Sequence, residues 1–166
     1  MQEVEVNKSI KLSPHFTLGE MTKTSYHPQD GNIPSRVHVE NMINLCENWL
    51  EELRSRYNLL YGQRKVTREG VSQESPIVIN SGFRSPDTNQ LCGGATHSNH
   101  LTGCAVDIHC AGKAQAIRYA CILLDIADGK KQDFDELILE KRGTTIWVHF
   151  AVRPSGNRRK VRLMQT

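Results

Sequence analysis

From Ser35 to Tyr57 the apolar residues Val39, Met42, Ile43, Cys46, Trp49, Leu50, Leu53 and Tyr57 recur every three or four positions. That spacing predicts an amphipathic helix with one apolar stripe, Trp49 included, facing the core. A second helix is predicted over 113–127, "KAQAIRYACILLDIA", with Ile117, Ala120, Leu124 and Ala127 on one face. Elsewhere the pattern shortens to strands. "PIVINSGFRS" (76–85) reads as a strand ending in a glycine-containing turn, and "GCAVDIHC" (103–110) as a strand with β-branched residues at Val106 and Ile108. Three more follow, "FDELILE" (134–140), "TIWVHFAV" (145–152) and "RKVRLM" (159–164), the first two joined by a hairpin-length link, "KRGT". Helices followed by hairpin-linked strands predict an α+β single domain with a mainly antiparallel sheet.

Outside these segments the chain is polar. Residues 1–14 read as a lead-in to a domain over 15–166, "YHPQDGNIPS" as a loop, and 58–75 as an irregular surface excursion. The 166 residues suffice for one domain with a real core. The net charge of +3 is too slight for a nucleic-acid binder, and no nucleic-acid partner is expected. The basic run "NRRKVR" (157–162) reads as a solvated strand edge. Five cysteines cannot all pair with one another and form no C-x-x-C, which points to a reducing compartment. Cys46 and Cys121 read as small buried hydrophobes on the helical stripes. With no secretion signal and no apolar run of membrane-spanning length, synthesis in the cytoplasm is expected.

The chemistry concentrates in "GGATHSNHLTGCAVDIHC" (93–110). Catalytic zinc takes three nitrogen or oxygen ligands and keeps a fourth position open. His97, His100, Asp107, His109 and His149 are the candidates. In a strand, Asp107 points away from the face of Val106 and Ile108, so a carboxylate there needs a partner. His149 alternates with Val148 and Phe150 and faces the same way as Trp147 and Ala151. Gly103 lets the chain turn back so that His100 and Asp107 can converge. Cys104 and Cys110 lack a second cysteine pair for a structural zinc site.

"SGFRSPDTN", "GGATHSNHLTGCAVDI" and "WVHF", with "HFTLGEMTKTS" and "FDELILE" around them, closely resemble the zinc D-Ala-D-Ala carboxypeptidases of peptidase family M15, subfamily A, and related phage endolysins. The likeness spans roughly residues 15–152. It implies a hedgehog/DD-peptidase-like fold and a zinc ion held by His100, Asp107 and His149. Arg84 would hold a substrate carboxylate or carbonyl oxygen, and Ser98 would bind substrate or orient His100. Several relatives carry an acid three positions before the last histidine, where this chain has Ile146. Glu140 is the expected substitute as general base, with Glu136 as its rival. If residues 140 and 145 pair, Glu140 shares a face with His149; a slip by one residue would part them. His97 reads as a support for a ligand, and His109 as a rival ligand outside the motif.

The resemblance implies a zinc metallopeptidase, carboxypeptidase or endopeptidase, acting on peptidoglycan peptides. It would be a monomer working at the cell wall in a bacterial, phage or prophage setting. The missing acid at position 146 keeps an alternative open: a non-catalytic zinc- or peptide-binding module, or a phage structural protein of the same fold.

Overall fold

The structure, a computed structural model, describes residues 7–62, 65–68, 70–72 and 74–165. The first six residues of the polar lead-in and parts of the 58–75 excursion lie outside that range. Within the lead-in, β1 (Lys11–Ser13) pairs antiparallel with β2 (Phe16–Thr17) and buries Leu12. Thr17 then starts α1 (Leu18–Thr22) through a capping box with Glu20.

The helix predicted over 35–57 is a longer rod with an irregular middle. Ser35 caps α2 (Arg36–Leu45), a π-turn follows at Cys46–Leu50, and α3 (Glu51–Tyr61) continues beyond the predicted end. The π-turn buries Cys46, Trp49 and Leu50 together. Part of the predicted excursion is a short hairpin, β3 (Lys65–Thr67) against β4 (Gly70–Ser72).

The remaining strands are β5 (Ile79–Ser81), β6 (Ala105–Cys110), β7 (Glu136–Arg142), β8 (Thr145–Ala151) and β9 (Lys160–Gln165). They form one sheet in the order β5-β6-β8-β7-β9, antiparallel except for β7 with β9. The architecture is α+β with a mainly antiparallel sheet, as the pattern predicts. The strand predicted over 76–85 shrinks to three residues because its end is taken by a turn and by α4 (Pro86–Leu91), whose first residue is proline after the capping hydroxyl of Ser85. No helix among the described residues is long and apolar enough to cross a membrane.

One sheet face makes the core. Val106, Ile108, Leu137, Ile146, Val148 and Phe150 are buried there, and Phe150 meets Trp49 with ring centroids 5.1 Å apart. Truncating Trp49 to alanine would cost ~3–5 kcal/mol. The second helix, α5 (Lys113–Lys130), runs three residues past its predicted end. Its buried residues are Ala116, Tyr119, Ala120, Ile122, Leu123, Ile126 and Ala127; Ile117 and Cys121, expected on the buried stripe, are exposed. Ala120 and Ala127 of the predicted stripe are buried and Leu124 packs partly against the core, while Tyr119, Ile122, Leu123 and Ile126 take the place expected of Ile117. The opposite sheet face carries the polar residues that build the site.

Candidate metal centre

Three elements bring the candidate ligands together. Ser98 caps a single 3-10 turn, Asn99–Thr102, its hydroxyl accepting from the His100 amide at 3.2 Å. Gly103 ends the turn at φ 72°, and a Cβ there would stand 2.6 Å from the His38 carbonyl oxygen. Only glycine fits both demands, and the bend it permits delivers the chain into β6 with Asp107 on the polar face. The register then pairs Asp107 with His149 of β8. Non-core residues on neighbouring strands thereby meet the buried His100.

The donor atoms converge. Asp107 Oδ1 lies 3.3 Å from His100 Nε2 and 3.0 Å from His149 Nδ1. One ligand atom from each residue falls within 4.8 Å of the others. Bonds of about 2.0–2.2 Å to one tetrahedral ion place ligand atoms about 3.3–3.6 Å apart, so the residues fit a small divalent metal. Each ring is held from behind. His100 Nδ1 donates to the Gly82 carbonyl at 2.6 Å, which leaves Nε2 to face Asp107. His149 Nε2 donates to Glu136 Oε2 at 3.1 Å, which turns Nδ1 inward. Such bonds fix the tautomer and orientation of metal-binding imidazoles.

The charges match this reading. Burial alone would raise the Asp107 carboxyl, but the charge of His100 and hydrogen bonds from both histidines hold it well below the usual carboxylate range. Burial would likewise lower His149, yet its hydrogen bonds to Asp107 and Glu136 push it up to about 9. With its affinity for protons raised in this way, His149 makes an incoming cation compete with a proton.

Residues 14–138 match the family described as Peptidase M15. The chain belongs to this peptidase family. Among curated proteins no relative matches it. The matched stretch of the M15 chain holds Arg84, Ser98, His100, Asp107 and Glu136, and stops before Glu140 and His149. Peptidases of this family are metal-dependent, in keeping with a three-residue group that could hold a metal ion.

The two carboxylates rivalling for the role of base occupy unlike surroundings in the M15 chain. The hairpin pairs Glu140 with Trp147, not with residue 145, because the turn holds only Gly143 and Thr144. A shift by two keeps the parity, so Glu136, Glu140 and His149 all share the polar face. The hydrogen bond from His149 pulls Glu136 down to about 2. Glu140 is half-buried, and burial, followed by the charge of Asp107, raises it. Ile146, three positions before His149, is buried on the core face.

Arg84 lies beside the group: its Nη2 donates to Asp107 Oδ2 at 2.8 Å and its Nε to Ser81 Oγ at 2.9 Å. His97 is exposed on the rim of a cleft of about 560 Å³ that also contains Arg84, Ser98, Glu140, Trp147 and the three candidate ligands. The structure gives it no hydrogen bond to a ligand among the described residues. His109 is exposed and lies outside the converging group. Cys104 and Cys110 are buried free thiols, with burial pushing Cys110 up to about 11, and neither joins the group.

The sequence reading missed Asn99, Asp135, Arg153 and Tyr26. Tyr26 lines the cleft. Asn99 lines it too and joins the other two in a network: its Nδ2 donates to Asp135 Oδ2 at 2.8 Å, and Arg153 Nε donates to Asn99 Oδ1 at 2.9 Å. Asp135 is wholly buried and is gripped by Arg158 through two bonds, of 2.8 and 2.7 Å. The "NRRKVR" run is therefore only partly a solvated edge, since Asp135 and Glu136 pair with Arg158 and Lys160. An acid directly before Glu136 in "FDE" was the available signal for this network.

Proposed function

We propose that the protein is a zinc-dependent metallopeptidase that hydrolyses peptide bonds in peptidoglycan stem peptides, as a D-Ala-D-Ala-type carboxypeptidase or an endopeptidase. The observation that carries this reading is the convergence of His100 Nε2, Asp107 Oδ1 and His149 Nδ1 beside a half-buried carboxylate, Glu140. Two imidazoles and one carboxylate suit zinc with an open position. The wall substrate is supported by the likeness of "SGFRSPDTN" and "GGATHSNHLTGCAVDI" to wall-cleaving peptidases. Action at a bacterial cell wall, in a phage or prophage setting, belongs to the same proposal.

Zinc, when bound by His100, Asp107 and His149, would supply Lewis acidity toward water and the scissile carbonyl. Glu140 takes the proton of the attacking water and hands it to the leaving amine, a task its raised affinity for protons suits. Arg84 holds Asp107 Oδ2 with one arm of its guanidinium and turns its remaining donors to a substrate carboxylate or the developing oxyanion. Ser98 fixes the amide of His100.

The test is mass analysis of peptidoglycan fragments after incubation with zinc-loaded protein, beside Glu140→Gln. New peptide ends or released alanine from the first and none from the second, with zinc retained in both, are expected. Intact peptidoglycan and intact stem peptides from both proteins would reject the peptidase reading in favour of a binding or structural role.

A further inference from the structure

Glu136 points at the centre, yet its geometry suits neither a base nor a ligand. Oε2 accepts from His149 Nε2 at 3.1 Å and from Asn99 Nδ2 at 3.1 Å. Oε1 accepts from Arg158 Nη2 at 3.1 Å and from Lys160 Nζ at 3.3 Å. A carboxylate offers about four acceptor sites, and here four donors fill them. No lone pair remains for a proton or a cation. The carboxylate is a fixed anchor.

We propose that Glu136 is a positioning residue that sets the ring of His149 for metal capture, and that Arg158 and Lys160, at the entry to β9, set Glu136. An unrestrained imidazole can present either ring nitrogen. With Nε2 tied to Glu136, only Nδ1 faces Asp107. Arg158 spans Asp135 and Glu136, and Lys160 closes the remaining side from the start of β9. Asn99, the residue before His100, joins the same anchor, because its amide reaches Asp135 and Glu136 together. His149 is thus oriented by a polar net to which residues 158–160 contribute two cations. The inference rests on the metal-binding reading of His149.

The experiment measures metal affinity, without reference to activity. Metal-free wild type, Glu136→Ala, Glu136→Gln, Arg158→Ala and Asp128→Ala are titrated with zinc against a chromophoric chelator, and with cobalt(II) to record the absorption bands of the bound ion. Glu136→Ala is expected to bind zinc about 10–100-fold more weakly and to shift the cobalt bands. Glu136→Gln, whose amide oxygen still accepts from Nε2, should recover much of the loss. Arg158→Ala should weaken binding in the same direction by less. Asp128→Ala breaks only the surface pair with Arg159 and should leave affinity unchanged. If wild type binds no metal, the metal reading falls and this inference with it. If wild type binds and Glu136→Ala matches it in affinity and spectrum, the inference alone is overturned. Should Glu136→Ala fail to fold, Glu136→Gln and Arg158→Ala decide: equality of both with wild type overturns it.

Discussion

Gly82 lies between the candidate centre and the N-terminal part of the fold, and replacing it with alanine strains both. A Cβ there would stand 2.3 Å from the Met21 carbonyl oxygen and 2.9 Å from its carbon. That same oxygen accepts from the Phe83 amide at 2.7 Å, while the Gly82 carbonyl accepts from His100 Nδ1 at 2.6 Å. Met21 is fully buried at the end of α1, so the helix has no free space to yield into. Restoring ordinary contact requires the two backbones to part by about 1 Å. Overpacking of this kind costs ~1–3 kcal/mol, or a fall in melting temperature of about 2–12 °C for a chain of this size. Moving the Gly82 carbonyl by that distance also breaks the bond that orients His100. Such a loss lowers metal affinity about 10–100-fold, equivalent to ~1.4–2.7 kcal/mol. Thermal melting of the metal-free variant and chelator competition of the folded variant read the two effects separately. A lowered melting temperature with unchanged zinc affinity would refute the claim that Gly82 holds His100. No change in either would refute the packing argument as well.

Two further outcomes follow from the same centre. In metal-free protein, the Glu136–His149 pair stabilises the fold across a window set by both partners. Glu136, lowered to about 2 from its ordinary 4.5, contributes fully above 4.5 and loses its contribution as the pH falls through about 2. His149, raised to about 9 from its ordinary 6.5, contributes fully below 6.5 and loses its contribution as the pH rises through about 9. Denaturant melts over pH 2–10 should show this contribution greatest between about 4.5 and 6.5, and Glu136→Gln should flatten the profile. Zinc at one hundred times its dissociation constant should stabilise the protein by ~2.7 kcal/mol, seen as a rise in melting temperature that His149→Ala abolishes.

The helical stripe from Ser35 and the alternation in "AVDIHC" and "TIWVHF" were enough to place the long rod, the sheet and the two faces of β6 and β8. Those periods express burial directly, and burial is what a single chain records best. The π-turn at Cys46–Leu50 left no such mark, because the apolar spacing continues through it. Leu12 was hidden for the opposite reason: in a three-residue strand, one buried apolar residue beside a buried serine makes no period. In the site, the three converging residues were legible as a set, partly through resemblance. The division of labour between Glu136 and Glu140 was not, since both have the parity of His149. What separates them is the company brought by Arg158 and Lys160, which read from sequence as a solvated edge.

The two-residue turn between β7 and β8 limits how this stretch of chain can change. Extra residues at Gly143 and Thr144 would bulge into solvent and leave the strands in step. One residue added or removed within β7 after Glu140, or within β8 before His149, would put carboxylate and imidazole on opposite sides of the sheet. Substitutions there are graded in their effect, whereas single-residue length changes are all-or-none. Among descendants of this chain, the strands should drift in composition while their lengths stay fixed, and the turn should be where length variation accumulates.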